Sequence, residues 1–303
     1  AVPMWKVPSN VLKRHSVHLK VLHAQLYNPD TFQCTSLVDL TIPQQPLELD
    51  AQRHLIRTNP GLKVLRWHGP PRKVVIEADD FVHLTRIHAL ELAHWEGSGG
   101  ALRRVLEAVA GSLVKLELGW MQGMANMDHT ADSSSTPRSR NNEGLVLARL
   151  ESFTSTNSQP RGPDPTDLVH CCPNLKRCDL TLTSDIDIIR LSDTLAEHCP
   201  KLNTLTVREY RRLQLCETLI QDLGDRQTQN LAHLTVSQIA LTKSLTSAII
   251  LHASNLESLS IMAQDVDDYN LVDSAMGTAF LPLHECRRLK VVKWNKLEFS
   301  RVE

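Results

Sequence analysis

Apolar residues recur along this chain in a short motif: an apolar anchor, two residues, an apolar residue, one residue, and a third apolar residue. The cleanest copies are Leu37-Val-Asp-Leu40-Thr-Ile42 and Leu113-Val-Lys-Leu116-Glu-Leu118. The anchors lie at residues 19, 37, 62, 87, 113, 150, 175, 202, 231, 256 and 289, and five of the ten steps are 25 or 26 residues long. Such a near-constant step indicates a repeat protein, because scattered leucines would not keep it.

The spacing inside each repeat predicts its secondary structure. Alternation at the second and third apolar positions is typical of a short strand with one buried face. The remaining residues carry a helical apolar period in several repeats, as at 101–109, 189–196 and 245–251. Single strands and helices of this kind bury their apolar faces only by stacking on their neighbours. We therefore predict an α/β leucine-rich-repeat solenoid of about eleven irregular repeats, a horseshoe or arc with parallel strands on its concave face and helices on its convex face.

The register resumes after every irregular stretch, so we predict one leucine-rich-repeat domain over residues 1–303. Residues 119–144 are polar, rich in serine and without apolar period, which favours a disordered loop insertion. Residues 155–165 are rich in proline and glycine and favour a second, shorter loop.

A joint precedes many anchors, as in Cys172-Pro-Asn-Leu175 and Cys199-Pro-Lys-Leu202. Proline there stops a helix and directs the chain into the strand. The nearby histidines His170 and His198 raise the question of zinc, which favours cysteine and histidine ligands. However, Cys172, Cys199 and Cys286 each lie three residues before an anchor, so their spacing is that of the repeat. We interpret them as buried filler and expect neither a metal nor another cofactor.

Composition narrows the class of partner. The 33 basic and 34 acidic residues give a net charge of −1, which disfavours general binding to nucleic acid. No apolar stretch is long enough for a membrane span, and the first residues do not read as a signal peptide. The seven cysteines do not suggest a secreted disulfide framework. These features lead us to expect a cytoplasmic or nuclear protein.

Catalysis finds little support in the sequence. Nucleophile-elbow, phosphate-loop, dinucleotide-binding and zinc-protease motifs are all missing from the printed chain. Glu91 and Glu117 occupy the same outward position on adjacent predicted strands, and a carboxylate pair in a groove is the hallmark of acid–base hydrolysis. Like charges on neighbouring parallel strands are more often solvated or ready to meet a basic partner, so we expect a binding protein and no enzyme.

The outward strand positions form the candidate binding surface, because residues between the buried positions point away from the core. They combine charge with small polar side chains, which suits protein recognition. The charged or ionisable candidates are Arg66, His68, Glu91, Lys115, Glu117, Arg177, Asp179, Arg208, His233 and Lys293.

The cysteine–proline joints resemble those in the leucine-rich repeats of F-box proteins, and units such as Leu62-Lys-Val-Leu65-Arg-Trp67 resemble fungal members. The resemblance covers essentially the whole chain and implies a protein that holds the substrate of a cullin-type ubiquitin ligase. In that family an F-box docks on the ligase adaptor. Only eighteen residues precede Leu19, so an F-box would have to lie in a missing upstream segment. The alternative is a stand-alone repeat scaffold or regulator of the GTPase-regulatory or cytoskeletal kind.

Overall fold

The computed structural model describes residues 16–23, 34–44, 49–69, 75–97, 99–122, 144–156, 164–183, 186–209, 215–225, 230–239, 247–249, 252, 255–263, 288–294 and 297–300. The chain forms two compact units. The first comprises Ala1–Leu150 with Arg161–Asp164, and the second comprises Glu151–Pro160 with Pro165–Glu303.

The first unit is built on parallel strands that pair in chain order. They are β1 (Val21–His23), β2 (Asp39–Ile42), β3 (Val64–His68), β4 (Ala89–Ala93) and β6 (Lys115–Leu118). A second, two-stranded sheet pairs β5 (Trp95–Glu96) with β7 (Met121–Gln122). The helical elements are α1 (Leu49–Arg57), α2 (Gly99–Val109) and the short 3-10 turns Ser16–His18 and Ala78–Asp80.

The second unit is also built on parallel strands that pair in chain order. Its parallel strands are β8 (Ser152–Ser155), β9 (Arg177–Leu182), β10 (Thr204–Glu209), β11 (His233–Ile239), β12 (Ser258–Ala263) and β13 (Val291–Trp294). An antiparallel strand, β14 (Leu297–Ser300), follows β13. The helices are α3 (Pro165–His170), α4 (Ile188–His198) and α5 (Leu215–Asp225). No helix in the described parts of the chain is long and apolar enough to cross a membrane.

The predicted fold class is confirmed: each unit is a leucine-rich-repeat solenoid with parallel strands and connecting helices. Every one of the eleven anchors leads into one of the parallel strands. The helical patterns at 101–109 and 189–196 correspond to α2 and α4, whereas only residues 247–249 of the third pattern are described, and they are helical.

Some boundaries differ from the sequence prediction. The loop predicted from residue 119 begins later, because Met121 is fully buried and pairs with Trp95 across the small sheet. The loop predicted at 155–165 is shorter, since Ser155 ends β8 and Pro165 begins α3. The centres of both loops, residues 123–143 and 157–163, lie outside the described residues. Strands β5, β7 and β14 follow no leucine anchor, which is why the repeat pattern did not predict them.

Neighbouring repeats are joined by one recurring backbone arrangement. The carbonyl oxygen of the residue after the anchor accepts two amides from the next repeat at nine of the eleven anchors, as Lys63 O does from His88 N (2.7 Å) and Ala89 N (3.0 Å). This shared acceptor fixes where each strand starts against its neighbour. The same arrangement occurs at the carbonyls of Lys20, Val38, Lys63, His88, Glu151, Lys176, Asn203, Ala232 and Glu257.

The joint before five of the strands is also a repeated hydrogen-bonded turn. The anchor amide donates there to the carbonyl three residues earlier, as Leu62 N does to Asn59 O (3.1 Å) and Leu202 N to Cys199 O (3.0 Å). The side chain at that earlier position points into the core, where it reaches the preceding repeat. Asn59 donates from Nδ2 to Cys34 O (2.6 Å) and accepts from Leu37 N at 2.8 Å.

Cysteine takes the place of Asn59 in the second unit. The Cys199 thiol contacts Cys172 O at 3.6 Å, and the Cys172 thiol contacts Leu168 O at 3.0 Å. Burial raises the pKa of Cys199 to about 12 and that of Cys172 well above its usual value, so both thiols stay protonated. Their burial is as predicted, while Cys286 lies outside the described residues. No group of three or more potential ligands within the described ranges could hold a metal ion.

We expect Asn59→Ala to lower the free energy of unfolding by about 2 to 4 kcal/mol, because it leaves the buried Leu37 amide without its acceptor and removes the bond to Cys34 O. Urea unfolding followed by circular dichroism measures the change. Asn203→Ala is the matched control, since that side chain is exposed and should cost less than about 0.5 kcal/mol. Equal losses in the two variants would refute a structural role for the Asn59 side chain.

Candidate functional site

Outward-pointing side chains line up across the strands of the first unit, on what we call its sheet face. One row runs through Thr41, Arg66, Glu91 and Glu117, which are direct partners on β2, β3, β4 and β6. The intervening residues, such as Leu65 and Leu90, are buried beneath the sheet. The period-two alternation read from the sequence therefore places these polar residues side by side, as predicted.

Glu91 is the centre of a network of charges on this face. Its Oε1 lies 2.8 Å from His68 Nε2, and its Oε2 lies 3.6 Å from Arg66 Nε. Arg66 in turn donates from Nη1 to Asp39 Oδ1 at 3.0 Å. His23 Nε2 stands 3.8 Å from the same Asp39 oxygen. Four strands are thus linked through side chains in addition to their backbone bonds.

The pKa of Glu91 is lowered from its ordinary value. The hydrogen bond from His68 is the largest cause, and the positive charges of His68, Arg66 and Lys115 add to it against the opposing effect of burial. Glu91 therefore stays ionised well into acid. A general acid needs the opposite shift, so Glu91 is unsuited to donate the proton in a hydrolytic carboxylate pair.

Glu117 has its own cation. Lys115 Nζ lies 3.4 Å from Glu117 Oε2 on the same strand. Glu91 and Glu117 are register partners, as the sequence predicted, but each carboxylate has its own ion-pair partners, His68 and Arg66 for Glu91 and Lys115 for Glu117. This geometry favours the binding interpretation over the acid–base one.

Three rings extend the face at the ends of β3, β4 and β6. The His94 ring lies 6.0 Å from that of His68 and 5.2 Å from that of Trp120, both edge-on. Trp120 is 39% exposed, whereas the Nδ1 atom of His94 is buried without a hydrogen-bond partner among the described residues. Burial and the nearby His68 lower the pKa of His94, so its ring tends to be neutral.

Two glycines allow the chain to pass close enough for this arrangement. A Cβ on Gly69 would lie 2.3 Å from the carbonyl oxygen of His94, and one on Gly119 would lie 2.6 Å from the Cβ of Ala93. His94 itself adopts a φ of 60°, a left-handed conformation that is uncommon for a residue with a side chain. Such strain is a recurrent property of functional positions.

The second unit has a sheet face of different character. Arg208 forms a bidentate pair with Asp179 on the neighbouring strand, with Nη2 to Oδ2 at 2.8 Å. Arg177 and His233 are exposed and form no ion pair or side-chain hydrogen bond with any described residue. Lys293 is exposed on β13. Threonine and serine occupy most other outward positions on β8 to β12.

The structure pairs some of the predicted binding residues with one another. Arg66, His68 and Glu91 form one network, Lys115 pairs with Glu117, and Asp179 pairs with Arg208. Sequence analysis missed Asp39, although it occupies the same position in its repeat as Lys115 and Arg177. It also missed His94 and Trp120, because they follow the motif and depend on backbone conformations that the repeat does not encode.

No protein-family model and no curated protein matches this sequence. Among solved structures the chain is similar to an internalin from Listeria monocytogenes, with 12% sequence identity and a TM-score of 0.32 over 98% of this chain and 100% of that one. Similarity at that level carries no information about what this chain binds.

We expect Glu91→Gln to be destabilising in a pH-dependent way. The folded-state pKa of Glu91 is lowered, so its carboxylate stabilises the folded state above the unfolded pKa of about 4.3, and this contribution disappears as the pH falls through the lower folded pKa. At pH 7 the free energy of unfolding of the variant should be about 1 kcal/mol lower than that of the unmodified chain. This difference in the free energy of unfolding should become smaller below about pH 4. Urea titrations at several pH values measure it.

Glu107→Gln provides the control, since Glu107 sits on a helix in an exposed pair with Arg103 at 2.9 Å. Its effect should stay within a few tenths of a kcal/mol, about the value of an exposed helical ion pair. A Glu91→Gln deficit that is the same at pH 7 and in acid would contradict the assignment.

Proposed function

We propose that this chain is a protein-interaction module that recognises the substrate of an F-box-type ubiquitin ligase, with the F-box in an upstream segment. The sheet face of each unit is a candidate binding surface in this proposal. The observation that carries the binding role is the network around Glu91, where His68 and Arg66 are held in place before any partner arrives. Side chains that are already ordered lose less conformational entropy on binding, which favours affinity.

The link to ubiquitin ligation is supported by the cysteine–proline joints that resemble those of F-box proteins. A leucine-rich-repeat fold is itself compatible with many partners, so the partner must be argued from the surface. We place the protein in the cytoplasm or nucleus. The six described cysteines are buried, and Cys34, Cys172, Cys178 and Cys199 are free thiols, which suits a reducing compartment.

Affinity purification of the tagged full-length gene product, followed by mass spectrometry, tests this function. We expect to recover the ligase adaptor together with a substrate protein. Recovery of a partner without the adaptor would instead support the stand-alone scaffold. An F-box of about forty residues encoded upstream would distinguish the two possibilities independently.

Charge reversal on the sheet face should separate the two interactions. Lys115→Glu or His233→Glu should lower substrate recovery by about fivefold, the effect of losing one favourable contact. Adaptor recovery should not change, because the adaptor docks on the F-box. Arg104→Glu is the control, since Arg104 is exposed on α2. If neither variant lowers substrate recovery, neither sheet face is the binding surface.

A further inference from the structure

The strands β9 to β12 of the second unit carry a surface of hydroxyl groups. Thr206, Thr235 and Ser260 are direct partners on adjacent strands, and in the row next to them His233 lies between Thr204 and Ser258. All five hydroxyl residues are half-buried. Thr206, Thr235, Ser258 and Ser260 form no side-chain hydrogen bond with any described residue, so their hydroxyls remain able to donate to a ligand.

The charges that border these hydroxyls are mainly positive. Asp179 provides the one carboxylate at the described outward positions of β9 to β12, and Arg208 already pairs with it through both oxygens. Arg177 lies at the start of β9 in the same row as Thr204, and its charge is not neutralised by any described carboxylate. His233 extends that row on β11. An incoming group would therefore meet hydroxyl donors beside an unpaired cation.

We propose that this surface, the hydroxyl face, binds an acidic peptide segment of the partner protein. The inference rests on the proposed function and names the chemistry of the partner at the sheet face of the second unit. Carboxylates accept hydrogen bonds from hydroxyls and pair with guanidinium groups, and pairs of this kind are among the stronger polar contacts.

The dimensions of the hydroxyl face suit an extended peptide. Neighbouring strands lie about 4.8 Å apart, so Arg177 and His233 start roughly 10 Å from each other across β10. Alternate side chains of an extended peptide lie about 7 Å apart on one side. Two acidic residues at that spacing are within reach of Arg177 and His233 once the flexible ends of these basic side chains move. Thr204 lies between the two basic residues.

Single-stranded nucleic acid is the main competing anion, and the composition of the face disfavours it. Sequence-tolerant binding of single strands relies on aromatic side chains that stack with the bases. The described outward positions of β9 to β12 hold Thr, Ser, Arg, Asp, His and Met, and none holds an aromatic residue of the Phe, Tyr or Trp type. Hydroxyl donors next to Arg177 favour isolated carboxylates over stacked bases.

Fluorescence anisotropy with the intact chain tests the proposal. The probe is a fluorescein-labelled nonapeptide in which Glu alternates with Ser, compared with the same peptide carrying Gln in place of Glu. A labelled oligothymidylate of equal charge forms the third arm. We expect the Glu peptide to bind at least about tenfold more tightly than the Gln peptide at low salt, and the difference to shrink with added salt.

Substitutions test whether the Glu peptide binds at the hydroxyl face. Arg177→Glu should weaken binding of the Glu peptide by about tenfold, and Thr235→Val, which removes a hydroxyl at nearly constant shape, by about threefold. Arg104→Glu removes a cation of the same type from α2 and should leave the affinity unchanged. Circular dichroism of each variant checks folding, and Arg177→Ala replaces the charge reversal if that variant fails to fold.

Several outcomes would overturn the proposal: equal binding of the Glu and Gln peptides, tighter binding of the oligothymidylate, or equal losses in Arg177→Glu and Arg104→Glu. A partner captured by the full-length protein alongside failure of the Glu peptide would refute this inference alone. Absence of any captured partner would instead refute the proposed function, whatever the peptide does.

Discussion

The constraint on which the rest of the structure depends is a shared acceptor: one carbonyl oxygen in the repeat accepts two backbone hydrogen bonds, an arrangement described for nine anchors. Two successive amides of the following repeat converge on the carbonyl next to the anchor, and this starts each strand at a fixed position beside its neighbour. A shift by one residue would turn every buried leucine outward. Because the start is fixed, rows such as Arg66, Glu91 and Glu117 stand in line on the sheet face.

The same register explains why the two units offer different surfaces on one scaffold. Positions beneath the sheet must be apolar, while outward positions are free to vary. In the first unit they carry opposite charges that neutralise one another through Glu91 and Arg66. In the second unit hydroxyls predominate, and Arg177 keeps its charge unpaired among the described residues. The first surface is ordered by its internal pairs, whereas the described part of the second surface has Asp179 and Arg208 as its ion pair.

The fold was predictable from sequence because the buried leucines are themselves strand residues, so their spacing gives the positions of the strands. Glu91 and Glu117 were placed side by side correctly for that reason. Their chemistry was not predictable, since the pKa of Glu91 depends on distances to His68 and Arg66 that no spacing encodes. The position of His94 was equally hidden, because it requires a left-handed backbone and the close approach of Gly69.

The function was less accessible than the fold. The cysteine–proline joints suggest a class of protein, but they lie in the turns before the strands and take no part in the surface that would meet a partner. The choice of partner depends on outward residues, which the repeat leaves unconstrained. Pairing among those residues decides which charges remain available, and this becomes visible only when Asp179 is seen beside Arg208.

The exchange of Asn59 for cysteine at the turn before the strand determines whether one repeat could replace another in the array. Asn59 bridges to Cys34 through an amide at 2.6 Å, whereas Cys199 reaches the equivalent carbonyl of Cys172 through a thiol at 3.6 Å. Both side chains are compatible with the same backbone turn. Asn59 also accepts from Leu37 N of the preceding repeat, whereas Leu175 N donates to the carbonyl of Cys172 and needs no side-chain acceptor. A cysteine at the position of Asn59 would therefore leave the Leu37 amide without its acceptor. The repeats of this array are thus not interchangeable modules, because each joint is matched to the repeat before it.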